Sequence, residues 1–385
     1  MTKYRLGDVL TIIMDYRGKT PKKLGLDWTE DKNDIVALSA KNLKNGELIN
    51  LDKSHYGNSA LYNKWMKDGD ISVGDILMTS EAPLGELFLV DKPIKAILSQ
   101  RIFLLRPNNS IVLPWYLYFY MSSKNFQNRL NGHATGTTVI GIKQKELRNI
   151  EIELPSLSIQ KSIVRKLVPI SKKIEINKEI NDNLLELNST CFKKIFDTSN
   201  DYQPADSIAD IKIGKTPPRK QSEWFSISSK DLTWVSIKDM KDNTAFISSS
   251  NENITLKAVD RFNINVVPKN TVILSFKLTI GRVKISNHEL TTNEAIAQFQ
   301  NSSLPWEFLY TYLKLFPYGT LGSTSSIAKA INSKIIKKMP VLVPNKSLMN
   351  QYLKLAIPIF NSLREIQEEQ NKLRSVKQEL LTKYF

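Results

Sequence analysis

The second half of this chain repeats the first. From Pro155 to Phe196 the sequence aligns with Pro344 to Phe385 at a constant offset of 189, without a gap. Pro155, Ser158, Val168-Pro169-Ile170, Leu184 and Phe196 answer to Pro344, Ser347, Ile357-Pro358-Ile359, Leu373 and Phe385. Upstream, Arg17-Gly18-Lys19-Thr20-Pro21 is echoed by Ile213-Gly214-Lys215-Thr216-Pro217, and Leu113-Pro114-Trp115 by Leu304-Pro305-Trp306. The offset drifts from 196 to 191 to 189, so insertions accumulate ahead of the last segment and not within it. A period of this length is far too long for a solenoid. The chain must hold two copies of one unit, and its target must have something two-fold about it.

Each copy divides in two. Residues 1–154 read as mixed α/β, with β-rich runs at Ile35-Val36-Ala37-Leu38, Asp75-Ile76-Leu77-Met78, Leu87-Phe88-Leu89-Val90 and Arg101-Ile102-Phe103-Leu104-Leu105. Gly, Pro and Asn/Asp turns separate them. A helix is expected after Pro114, with an apolar stripe from Trp115 to Phe126, because proline is tolerated in a first helical turn. Residues 198–343 repeat the plan. Small-residue loops lie at Asn131–Gly141 and Gly319–Ile327.

The other part of each copy, residues 155–197 and 344–385, reads as a long helix. Positions 163, 167, 170, 174, 177, 181, 184, 188, 191 and 195 alternate steps of four and three. The matching track runs from Tyr352 through Ala356, Ile359, Leu363, Ile366, Gln370, Leu373, Lys377 and Leu380 to Tyr384. This is a coiled-coil-like seam with polar residues in its middle. Two readings stay open for Asn177, Asn181 and Asn188: they sit in the seam and fix its register, or they border a stripe that drifts at 3.6 residues per turn. Pro169 and Pro358 should kink these helices or begin new ones, since proline removes a hydrogen bond and clashes with the preceding turn. The expected fold is α/β (α+β): two homologous domains and two long antiparallel helices with pseudo-two-fold symmetry. Such a frame suits duplex DNA, which has two-fold axes of its own.

Charge points the same way. The formal net charge is +16, an excess that attracts polyanions, nucleic acid first and anionic membrane second. Arg17, Lys19, Thr20, Lys22 and Lys23 gather at the first Gly-Lys-Thr-Pro turn, and Lys212, Lys215, Thr216, Arg219 and Lys220 at the second. Lys41 and Lys44, then Lys230, Lys238 and Lys241, follow at comparable distances. Arg101, Lys143, Lys277 and Arg282 join the candidate DNA-binding set, with Thr137, Thr138, Ser325 and Ser326 from the small-residue loops. Lysines and arginines neutralise phosphate, whereas bidentate Arg, Asn or Gln groups discriminate bases.

Signals for chemistry are weak. Gly18-Lys19-Thr20 and Gly214-Lys215-Thr216 imitate the end of a P-loop, but the glycine required five positions earlier is Ile13 or Ala209. His55, His133 and His288 share no metal spacing, and Glu151 and Glu153 have no nuclease-type lysine cluster beside them. The single Cys191 excludes an internal disulfide. Met1 to Asp8 is polar and lacks a signal-peptide core, and Ile111–Met121 is too short to span a bilayer. A cytoplasmic protein without a catalytic centre, metal site or membrane partner is expected.

The whole chain resembles the specificity subunit of type I restriction–modification systems. The resemblance rests on the doubled Gly-Lys-Thr-Pro, Gly74-Asp75-Ile76-Leu77, Thr135-Gly136-Thr137-Thr138, Gly141-Ile142, Leu147, Ile150, Leu154-Pro155 and the long helix. The second copy departs from it, with Lys269-Asn270 for the Gly-Asp and Ser323-Thr324-Ser325-Ser326 for the Thr-Gly-Thr-Thr. The resemblance implies two target recognition domains reading the halves of a split DNA site, with the helices as spacers. It also implies two modification (methyltransferase) subunits docked along the helices, and a restriction subunit that can join them. S-adenosylmethionine, ATP and Mg²⁺ would then act in those partner subunits and not in this chain. The alternative is a fused restriction–modification enzyme or nuclease whose catalytic motif escapes recognition.

Overall fold

The computed structural model describes residues 1–136, 139–321 and 331–385. Contacts divide the chain into two compact units, Met1–Lys173 with Leu373–Phe385, and Ile174–Lys372. In the first, Leu10–Asp15, Ile102–Pro107, Ile76–Thr79 and Leu87–Leu89 lie side by side, in that order, as an antiparallel sheet. Alternate side chains of these strands enter different cores, as the two-residue period of a strand requires. Ile76, Met78, Phe103 and Leu105 pack on one face, and Leu77, Ile102 and Leu104 on the other. Both faces are covered, which is why these segments are apolar without interruption. A second sheet joins His55–Gly57, Ile35–Leu38 and Ile97–Leu98, and Thr2–Arg5 pairs with Glu151–Leu154.

The second unit repeats this topology with additions. Asp210–Ile213, Ile296–Gln300, Val272–Ser275 and Val283–Ser286 form the equivalent sheet, which Phe246–Ile247 extends in parallel. Glu252–Ile254, Leu232–Val235 and Thr291–Thr292 form the second sheet, with Phe225–Ser226 added at its edge. Tyr202–Pro204 pairs with Pro340–Leu342 as Thr2–Arg5 does with Glu151–Leu154.

The helix after Pro114 is shorter than the apolar stripe implies. It spans Pro114–Ser122 and a second helix covers Lys124–Gly132. Between them Ser123 is extended, and its hydroxyl accepts the Phe126 amide at 3.3 Å. Serine competes for backbone donors in this way, so it caps a new helix more readily than it continues an old one.

The two long helices run from Leu157 to Phe196 and from Lys346 to Tyr384, with Pro169 and Pro358 inside them. Neither proline starts a new helix. Every position of the seven-residue track is buried or half-buried in both helices. Asn177, Asn181 and Asn188 are 1%, 6% and 1% exposed, so all three lie inside the packing. Within the first unit Lys166 donates to the Tyr384 hydroxyl at 3.1 Å, and Leu381 shares a core with Ile163 and Leu167. Within the second, Gln370 donates to the Ile174 carbonyl at 3.3 Å, Asn177 to Glu369 at 2.6 Å, and the Tyr352 hydroxyl to Asn188 at 2.9 Å. Within the second unit, numbers rise along one helix as they fall along the other, so the helices are antiparallel there.

Candidate nucleic-acid interface

The two Gly-Lys-Thr-Pro turns have the same job and reach it differently. Gly18 adopts φ 77°, a left-handed conformation that suits glycine. Gly214 has no such φ, but a Cβ there would sit 2.2 Å from the Thr292 carbonyl oxygen, so the turn needs glycine for close approach. Both lysines then reach the end of an equivalent short helix. Lys19 Nζ donates to the Trp65 carbonyl at 2.6 Å, where helix Ser59–Trp65 stops. Lys215 Nζ donates to Phe262 and Asn263 at 3.2 and 2.7 Å, beyond helix Leu256–Arg261. A cation at a helix C-terminus meets unpaired carbonyls and the negative end of the helix dipole. Burial depresses the Lys19 ammonium below its usual range, and the Lys67 charge adds to that.

Other members of the candidate set are also tied inward. Arg17 forks onto Asp15 and donates to the Ile142 carbonyl at 2.9 Å. Lys23 donates to Gly18 and Lys41 to Lys53, at 2.7 and 3.0 Å. Arg219 grips Glu252 with both oxygens at 2.8 Å and lies over the Phe225 and Trp234 rings, while Arg282 donates to the Ile237 carbonyl. The Thr216 hydroxyl donates to Glu294. Thr20 precedes the short helix Pro21–Leu24 without capping it by its side chain. Lys277 lies over the Phe276 ring. Lys22, Lys44, Lys143, Lys212, Lys220, Lys230 and Lys238 are exposed, and their ammonium groups form no hydrogen bond or ion pair among the described residues. Thr137, Thr138, Ser325 and Ser326 lie outside the described residues.

One concavity in the first unit collects groups that the basic residues alone do not reveal. A cleft of about 380 Å³ is lined by Trp28, Ser39, Lys41, His55, Gln100 and Arg101, among others. Trp28 stacks on His55 with centroids 5.4 Å apart and planes 12° from parallel. Arg101 Nε pairs with Glu81 at 2.8 Å, and its side chain is still 49% exposed. Its backbone lies at φ 67°, a strained conformation for a residue with a side chain. Trp28, His55 and Gln100 escape a search for charge because they carry little of it. The available signal was an aromatic on an open loop.

A latched hairpin overhangs this cleft. The Thr79 hydroxyl donates to the Pro83 carbonyl at 2.5 Å and accepts the Glu86 amide at 2.9 Å. Ser275 does the same with Thr279 and Arg282 at 2.7 and 3.1 Å. The tips carry Ala82 and Leu278, both at positive φ, and Leu278 is 99% exposed. Among the described residues no group of three or more His, Cys, Asp or Glu side chains could hold a metal ion. No described helix is long and apolar enough to cross a membrane.

Residues 1–186 and 204–357 match the family model described as the type I restriction modification DNA specificity domain. The type I restriction enzyme HindI specificity subunit of Haemophilus influenzae is 21% identical, over 81% of this chain and 85% of that protein. The MjaIX specificity subunit of Methanocaldococcus jannaschii is 22% identical, over 95% of this chain and 89% of the other. Among solved structures, the S subunit of a type I restriction–modification system from M. genitalium superposes with a TM-score of 0.57 at 17% identity. That superposition covers 100% of this chain and 96% of that one.

Proposed function

We propose, from the premise that this chain belongs to the type I restriction modification DNA specificity family, that it is the DNA-reading subunit of a type I complex. Residues 1–154 and 198–343 act as two target recognition domains, each reading one half of a split duplex site. The spacer helices give two modification subunits their docking track, and a restriction subunit joins through them. S-adenosylmethionine, ATP and Mg²⁺ belong to those partners.

The observation that carries the reading is the recurrence of one constellation in both copies: turn, helix-end lysine, latched hairpin and exposed cations, within a family match spanning most of the chain. Exposed lysines without internal partners are the ones able to neutralise phosphate, so Lys22, Lys44, Lys143, Lys212, Lys220, Lys230 and Lys238 supply affinity without sequence.

The test is expression of the chain with its modification subunits and reading of the methylated motif from host DNA. A split motif is expected. Exchanging residues 198–343 for a relative's block should change one half and leave the other. A chain that hydrolyses or methylates DNA unaided would instead support a fused enzyme, and simultaneous change of both halves would sink the two-reader picture.

A further inference from the structure

The register of the sheets allows the two copies to be compared position by position around the cleft. Ala37 faces His55 across strands of the first unit as Trp234 faces Glu252 in the second. The Ser99 amide donates to Leu38 and the Asn293 amide to Val235, so the segments that follow correspond. The Ser80 amide then donates to the Arg101 carbonyl, and the Phe276 amide to Ala295, at 2.9 and 3.0 Å. Thus Gln100 corresponds to Glu294 and Arg101 to Ala295. Behind them Ser39 and Lys41 correspond to Ser236 and Lys238, each serine opening a short helix with a reciprocal cap. Ser39 and Lys41 are kept in the second copy, whereas His55, Gln100 and Arg101 give way to Glu252, Glu294 and Ala295.

We propose that Gln100 and Arg101 are the base-reading pair of the first domain, and that the positions of Glu294 and Ala295 set the different preference of the second. This rests on the DNA-reading function argued above. The backbone here is held firmly, with the Gln100 carbonyl accepting from Ala40 at 3.3 Å and the Arg101 carbonyl from Ser80. Both side chains are exposed. A rigid backbone with outward polar side chains is prearranged for recognition, and the positive φ of Arg101 is strain retained at such a place. In the major groove arginine forks onto guanine O6 and N7, and glutamine onto adenine N6 and N7. A glutamate accepts from cytosine N4 instead. The stacked Trp28 and His55 form the apolar wall behind the pair. The ion pair with Glu81 aims the guanidinium without covering it.

The test uses the full chain with its modification subunits and reads the methylated motif. Q100E with R101A, which installs the second copy's residues, should alter one or two adjacent positions of one half-site and leave the other half intact. Arg101→Gly suits the positive φ and so removes the side chain without backbone strain. It should relax a single position, lowering discrimination there by roughly 10- to 100-fold. An unchanged motif in both variants, from a complex whose wild type gives a split motif, would overturn the pair while leaving the DNA-reading function standing. Uniform loss from the double variant with an unchanged R101G motif would overturn it equally. A wild-type complex that binds no DNA would remove the function and the pair together.

Discussion

Lys19 and Lys215 show how one residue type in one motif can be read two ways. Beside a glycine and a threonine in a basic chain, each looks like a phosphate ligand. In the structure each holds the turn to the end of a helix. The expected outcome for Lys19→Ala with Lys215→Ala is therefore a loss of stability of about 1 kcal/mol per helix end, seen as a lower urea midpoint. The slope of log K for DNA against log salt should stay unchanged. Lys22→Ala with Lys220→Ala should do the reverse, leaving the midpoint alone and reducing that slope by roughly 0.9 for each phosphate no longer neutralised. A pH effect belongs to Lys284, which is 2% exposed and binds Asp242, two carbonyls and the Thr244 hydroxyl. Burial pushes the Asp242 carboxyl upward, but the Lys284 charge and hydrogen bonds outweigh it and hold it below its usual range. The pair's contribution is thus present above about pH 4, the ordinary aspartate value, and is lost as pH falls through the lower folded value. Urea midpoints measured from pH 6 to pH 3 should fall in the wild type and fall less in Asp242→Asn. That variant should also be weaker at neutral pH, since it takes the counter-charge from a buried ammonium, but only by about 1 kcal/mol because the Asp242 side chain is 59% exposed.

At the scale of the element, the asparagines of the first long helix are not a simple register lock between two helices. Asn188 donates to the Thr311 hydroxyl at 2.8 Å and accepts from the Tyr352 hydroxyl, while Asn181 donates to the Asn243 carbonyl at 3.0 Å. Two of the three therefore join the helix to its globular domain. Asn188→Leu would remove one buried hydrogen bond each from Tyr352 and Thr311, which keep one another and the Glu307 carbonyl, at a cost of about 1–2 kcal/mol. Asn181→Ala, at the edge of the packing, should cost less than half as much, and urea unfolding of the two variants checks the order. The helices and the apolar strands were legible in the sequence because periods of two and of alternating four and three residues are set by geometry. Ser123 was not, since a capping serine and a helical serine are the same letter until the chain turns. The cleft was not legible either. Trp28, His55 and Gln100 are spread over nearly half of a domain in sequence, and only the strand register brings them together.

For the molecule as a whole, the doubling was plain from the sequence, whereas the division of the helices between compact units was not. Contacts part the chain at Lys173/Ile174 and again at Lys372/Leu373, inside both helices. That position says where a spacer can be lengthened. Four residues inserted in one helix between Asn177 and Leu184 would pull Asn181 from Asn243 or Asn177 from Glu369. Four inserted at both unit boundaries leave the packing within each unit in place. They add about 6 Å of helix, an upper bound on displacement along DNA that rises roughly 34 Å in 10 base pairs. A helix lying oblique to the duplex gains less, so the unread gap should grow by one or two base pairs. Four residues also turn the helix by slightly more than one revolution, which keeps the apolar seam nearly in phase. A matched insertion of two residues turns the seam away and should disrupt assembly with the modification subunits. The motif methylated by the four-residue variant decides the matter: an intact complex that keeps the original gap would mean that something other than these helices measures the distance.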